Sequence, residues 1–184
     1  MNRQPLSHIL RLMARGFSYP DKENTSKAFF QAVRQVADSL GIAHDVSAPD
    51  QDELKEAYTL LFINEPSGRW APPFSSVYIG GHGLLMAEGR EQAKSFYEEV
   101  GLSPATSGEP EDYLPVELDF VAHLVDTESK GLLLRFLKEH LLKWFPCFHR
   151  RLKAIGPHPY YMLLADMTSR LLNLIHQEVI DETT

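Results

Sequence analysis

Residues 109 to 119 read Glu-Pro-Glu-Asp-Tyr-Leu-Pro-Val-Glu-Leu-Asp, with five carboxylates (Glu109, Glu111, Asp112, Glu117, Asp119) and no base. Two readings stand side by side. In one, Asp112 is the N-cap of a helix and the other acids suit its positive end or a solvated face. In the other, the carboxylates form a negative lip for a cation, above all for Arg, whose guanidinium takes a carboxylate through two parallel hydrogen bonds. A second irregular stretch, 64–83, carries Trp70, Phe74 and Tyr78 around Pro72-Pro73 and Ser75-Ser76. Aromatics in a loop either plug a core or offer a peptide-binding surface, because they bury large area at low entropic cost.

Other chemistry is missing. There is no Gly-x-x-x-x-Gly-Lys-Ser/Thr loop, no Gly-x-Gly-x-x-Gly after a strand, no His-Glu-x-x-His and no Gly-x-Ser-x-Gly. Gly80-Gly81-His82-Gly83 lacks a lysine and follows no clear strand, so it reads as a flexible turn. Cys147 and His149 are two residues apart, which on a helix points them apart; they read as a buried thiol beside an exposed imidazole. His140 lies in an apolar stripe and reads as a satisfied core or boundary histidine. Glu98-Glu99 reads as a solvated face, and Trp144 and Tyr160-Tyr161 as core. No catalytic group and no metal-ligand set emerges from these residues.

The elements that must position these residues are helical. Leu6, Ile9, Leu10, Met13 and Phe17 share one helix face, ended by Gly16 and Pro20. Phe29, Phe30, Val33, Val36, Ala37 and Leu40 repeat the pattern, with Gly41 placed to close it. Asp50 and Glu53 have capping-box spacing before Leu54, Ala57, Tyr58 and Leu61. The prolines and glycines of 64–83 then break helical order, leaving room for a short extended piece at Val77-Tyr78-Ile79. Phe96, Tyr97 and Val100 resume it, up to Gly101. After a Ser-, Pro- and Gly-rich stretch at 102–112, Leu114, Leu118, Val121, Leu124 and Val125 form a buried stripe, with Pro115 tolerated in the first turn. Leu133, Phe136, Leu137, His140, Leu141 and Trp144 form the next. Pro146 is expected to restart the chain into a short helix with Phe148, Leu152 and Ile155, stopped by Gly156-Pro157. Pro159 opens a last long helix through Tyr160, Leu163, Leu164, Met167, Leu171, Leu174 and Ile175.

Composition narrows the class. The chain has 184 residues, 43% hydrophobic and 23% charged, enough for one domain, or two closely packed lobes, with a real core. Eighteen Lys and Arg against 25 Asp and Glu give a formal charge of −7, unsuited to nucleic acid or an anionic membrane and better suited to a basic partner. The single cysteine, Cys147, allows no internal disulfide and points to the reducing cytoplasm. No apolar run approaches the ~20 residues of a membrane span, and the N-terminus lacks the pattern of a signal peptide.

The motifs resemble those of the TorD/DmsD/NarJ family of redox-enzyme maturation chaperones, and most closely its TorD/DmsD branch. Glu109-Pro110-Glu111-Asp112-Tyr113, followed by Glu117-Leu118 and Leu124, resembles the family's Glu-Pro-x-Asp-His hallmark. Tyr58, Leu61-Phe62, Ala71-Pro72-Pro73 and Ser76-Val77-Tyr78 resemble its upstream segment. His140-Leu141, Trp144, Phe148 and Pro159-Tyr160-Tyr161 match its downstream pattern. The likeness covers roughly residues 50 to 180. Tyr113 stands where the family usually has His, Phe74 where it often has Trp, and Lys143 where it often has Pro.

The resemblance implies an all-α fold of about eight helices, a single domain over 1–184 with an N-terminal lobe (1–101), a hinge loop (102–112) and a C-terminal lobe (113–184). It implies a cytoplasmic chaperone that binds the twin-arginine leader and body of an apo molybdenum-cofactor oxidoreductase until the cofactor is inserted, then passes it to export. Further partners on this reading are the export or cofactor-insertion machinery, and the protein is a monomer or homodimer. The leader would meet Glu109, Pro110, Glu111, Asp112, Tyr113, Glu117, Phe74, Ser75, Ser76 and Tyr78. Among these, Asp112, Glu109 and Glu117 would supply charge and Phe74, Tyr78 and Tyr113 apolar contact. The resemblance implies a protein that is not an enzyme and needs no cofactor, although weak guanine-nucleotide binding follows by analogy with some relatives. Two alternatives come with it: a nucleotide-dependent hydrolase, and a NarJ-like assembly factor that binds an enzyme without reading a leader.

Overall fold

The computed structural model describes residues 3–80, 88–102 and 108–183. Within them the chain is all-helical, with 70% of residues in helices. Eight α-helices follow in order: α1 (Arg3–Phe17), α2 (Lys27–Ser39), α3 (Gln51–Tyr58), α4 (Glu88–Glu98), α5 (Leu114–Asp126), α6 (Lys130–Phe136), α7 (Leu142–Ile155) and α8 (Pro159–Thr183).

Local chemistry sets the boundaries. Ser26 caps α2 by accepting the Phe29 N–H at 3.2 Å. At the other end Gly41 takes φ +66°, and the Gly41 and Ile42 amides return to the Asp38 and Ala37 carbonyls. That is a Schellman closure, which needs a left-handed residue and so favours glycine. Asp50 caps α3, but Glu53 meets His158 at 3.1 Å instead of closing a capping box. Beyond α3 the helix widens into a π-turn at Thr59–Ile63.

Other expectations change as well. Residues 75–77 form a 3-10 turn, with Tyr78 also in helical conformation, where an extended piece was expected. Pro146 does not restart the chain: it sits inside α7, and α6 and α7 run on through a π-turn at Leu137–Leu141. Proline lacks the N–H that would bond four residues back, and the widened turn lies just upstream of it. Leu174 is 47% exposed, off the buried stripe of α8.

α1 lies along α5 and also touches α8, while α7 packs on α8 and α4 on the 3-10 turn. The core is one contiguous cluster. Aromatic rings run through it: Phe17 against Phe62 and Phe148, Phe62 against Tyr161, and Trp144 against Phe148, with centroids 5.1–6.3 Å apart. Such tilted and edge-to-face pairs add to burial. Trp144, Phe148 and Tyr161 are fully buried, as expected, and so is His140. Cys147 is partly exposed where a buried thiol was expected. Of the proposed hinge, residues 103–107 lie outside the described residues, as do Gly81, His82 and Gly83.

Candidate functional site: a groove where the two loops meet

The two irregular stretches of the sequence converge. Phe74 and Tyr113 form an isolated antiparallel bridge. The Ser75 amide donates to the Asp112 carbonyl at 3.0 Å, and the Leu114 amide donates to the Pro73 carbonyl at 2.9 Å. The two side chains stack, with ring centroids 5.1 Å apart and planes 25° from parallel.

Asp112 does not cap α5. Tyr113 occupies the cap position, with Pro115 in the first turn. The Asp112 carboxylate turns toward the other loop, where Oδ2 accepts the Ser76 N–H at 3.1 Å and the Ser76 Oγ–H at 2.5 Å. Asp112 is 1% exposed. The local pattern Asp-Tyr-Leu-Pro fits a cap equally well; only the distant Ser76 decides otherwise.

Glu117 lies deeper still, fully buried. Its Oε1 meets His140 Nε2 at 2.8 Å, and its Oε2 accepts the Trp144 indole N–H at 2.9 Å. Burial raises its pKa, while His140 and Trp144 pull it down. Tyr78 stacks on the Trp144 ring at 5.7 Å. Glu111 pairs with Arg90 of α4, which holds its carboxyl below the usual range against the effect of burial. The Pro110 carbonyl accepts the Tyr113 amide at 3.1 Å, closing a turn.

A groove of about 710 Å³ opens beside the stacked pair. Its floor is aromatic: Tyr58, Phe62, Phe74 and Tyr113. Beneath it Tyr113 donates its hydroxyl to the Phe17 carbonyl at 3.1 Å. With that proton committed, Tyr58 is the donor in the 2.6 Å Tyr58–Tyr113 contact. Burial pushes the Tyr58 hydroxyl up to about 12 and Tyr113 higher, so both stay neutral hydrogen-bonding groups. One wall is the end of α1 and the chain after it, with Arg15, Ser18, Tyr19 and Asp21. Asn24 shapes that wall by donating to the carbonyls of Arg15 at 3.0 Å and Tyr19 at 3.2 Å, and accepting the Asp21 amide at 2.7 Å. The opposite wall is the first two turns of α5, with Val116 and Asp119.

The mouth is apolar and its charge is negative. Tyr19 is 49% and Ile63 50% exposed. Asp21, Glu109 and Asp119 line the groove with Arg15, and Arg15 already pairs with Asp21 and with Glu23. Asp119 reaches solvent, yet the protein around it raises its pKa through desolvation, with Arg11 opposing.

Of the ten residues singled out in the sequence, Phe74, Glu109 and Tyr113 line this groove. Ser75, Ser76, Pro110 and Asp112 form the junction behind it. Glu111 is held by Arg90, and Tyr78 and Glu117 belong to the Trp144 cluster. Arg15, Tyr19, Asp21 and Ile63 also line the groove and belong to none of those ten. The one available signal was Phe17-Ser18-Tyr19-Pro20, an aromatic-rich helix end before a proline. Among the described residues no group of three or more His, Cys, Asp or Glu is placed to hold a metal, and no helix is long and apolar enough to cross a membrane.

Comparison with known proteins agrees with the architecture. The family model for the nitrate reductase delta subunit matches residues 22–150. The chaperone protein TorD of Photobacterium profundum is 29% identical over 143 residues, covering 71% of this chain and 64% of that protein. The "Probable Tat proofreading chaperone DmsD" of Haemophilus influenzae is 30% identical over 123 residues, covering 66% of this chain and 60% of that protein. The chain thus spans just under two thirds of the length of these curated relatives. A crystal structure from Archaeoglobus fulgidus, assigned as a redox enzyme maturation protein, has the same fold, with TM-score 0.61, 24% identity and coverage of 95% of this chain and 93% of that one. The chain belongs to the nitrate reductase delta subunit family, in its TorD/DmsD branch.

Proposed function

We propose that this protein is a cytoplasmic chaperone for an apo molybdenum-cofactor oxidoreductase, and that its groove binds the client's twin-arginine leader. Such a leader is a basic pair followed by an apolar stretch. The observation that supports the reading is the groove itself: an aromatic floor, an apolar mouth at Tyr19 and Ile63, and rim carboxylates at Glu109 and Asp119. Guanidinium groups suit the carboxylates, and aliphatic side chains suit the rings. The chaperone performs no covalent chemistry, needs no resident cofactor, and hands the client on once the cofactor is in place.

Calorimetric titration with a twin-arginine leader peptide tests this. Glu109→Gln and Asp119→Asn should each weaken binding by roughly 0.2–1 kcal/mol, the range for exposed ion pairs, and flatten its dependence on salt. Equal affinities and equal salt slopes would move the site elsewhere. Retention of a full-length client without leader binding would favour a NarJ-like assembly factor, and NTP turnover by the pure protein a hydrolase.

A further inference from the structure

The groove's shape depends on a clasp behind it, and we propose that Asp112 is the positioning residue of that clasp, not a contact for the leader. This rests on the groove being the leader site. The Pro72-Pro73 loop and the acidic segment belong to different parts of the chain, and two backbone hydrogen bonds join them, at Ser75–Asp112 and Leu114–Pro73. One side-chain link locks the join: Asp112 Oδ2 takes both the amide and the hydroxyl of Ser76. With 1% exposure, Asp112 is closed to a guanidinium unless the loops part. Carboxylates buried in this way act through the groups they hold, and here those groups set the position of Phe74 against Tyr113.

α4 braces the clasp from behind. A Cβ on Gly89 would lie 2.6 Å from the Ser76 nitrogen and 2.7 Å from the Ser75 carbonyl carbon and Oγ, so only glycine lets the helix approach this closely. The next residue, Arg90, grips Glu111 on the other strand of the join. The first turn of α4 therefore touches both halves, and a force on α4 reaches the groove floor through them. Recognition of the arginines falls to the rim carboxylates, while Asp112, Ser76 and Gly89 fix the geometry in which the rings receive the apolar part.

The test combines leader-peptide titration at low and high salt with amide hydrogen exchange of the free protein. Asp112→Ala should weaken binding about tenfold, the scale of losing a charge-assisted buried hydrogen-bond pair. Ser76→Ala removes one donor and serves as the milder variant should Asp112→Ala fail to fold. Their effects should be non-additive, because they break the same link. Asp112→Asn keeps an acceptor for Ser76 and should largely rescue affinity, with the wild-type salt slope. Gly89→Ala should reproduce the loss from the other side. In the free Asp112→Ala protein, exchange should accelerate at Ser75, Ser76 and Leu114 while the α8 amides stay protected. A salt slope flattened by Asp112→Asn as by Glu109→Gln would overturn the proposal, since Asp112 would then touch the arginine. Additive losses would overturn it too. If wild type binds no leader, the proposed function falls, and the exchange pattern alone decides whether the clasp exists: local acceleration supports it, and unchanged protection refutes it.

Discussion

Replacing Glu117 by alanine should be among the most damaging single changes in the chain. The carboxylate is fully buried and satisfies two buried donors, the Trp144 indole at 2.9 Å and His140 at 2.8 Å. Alanine leaves both without their acceptor, at about 1–3 kcal/mol each, and opens a small void. The sum is roughly 3–6 kcal/mol, against a total stability of about 5–15 kcal/mol for an ordinary domain. Glu117→Gln keeps the shape and one acceptor. The imidazole can switch tautomer to accept from the new amide, so the cost should stay near 1 kcal/mol at neutral pH. The sign of the pH dependence follows from burial. The folded pKa of Glu117 is raised above the ordinary 4.5, so its contribution is full below that value and is lost as pH rises through the folded pKa. The Glu117→Gln protein, neutral throughout, should gain on wild type over the same rise. Urea titrations of wild type and both variants across that range, read by tryptophan fluorescence, measure all of this. A loss below about 1 kcal/mol for Glu117→Ala would mean that the carboxylate does not satisfy both buried donors, and a constant difference between wild type and Glu117→Gln across pH would mean that its pKa is not raised by folding.

Trp144→Ala should cost about 3–5 kcal/mol in chemical denaturation, because it empties the space under the Tyr78 ring and frees the Glu117 carboxylate. Tyr113→Phe strips the hydroxyl that links Tyr58 to the Phe17 carbonyl, and should lower stability by roughly 1–3 kcal/mol in the same assay while leaving the stack on Phe74 intact.

Much of the fold was legible because its driving force is periodic. Leu6, Leu10, Met13 and Phe17 recur at helical spacing, and all four are buried. The six-residue stripe from Leu133 to Trp144 reads the same way, His140 included. Helical order was less legible where one residue argued against it. Pro146 looked like a break, yet packing of Trp144, Phe145 and Phe148 on both sides of it keeps α7 whole. The groove was legible only in part. Phe74, Tyr113 and the rim acids Glu109 and Asp119 announce themselves by type, but Asp112 and Glu109 look alike in sequence. One is buried against Ser76, 36 residues away, and the other is exposed. No local pattern carries a pairing over that separation. Tyr19 and Asp21 entered the site because Asn24 folds the chain after α1 back on itself, again a contact that composition does not reveal.

On the function proposed above, a twin-arginine leader lies in the groove between the end of α1, the π-turn after α3, the Pro-Pro loop and the start of α5. Hydrogen exchange of the protein with and without a saturating leader peptide tests it most directly. Added protection is expected in the stretches 15–21, 58–63 and 113–119, with none at the exposed far end of α8. Protection confined to other surfaces, with those three stretches unchanged under saturating peptide, would contradict it.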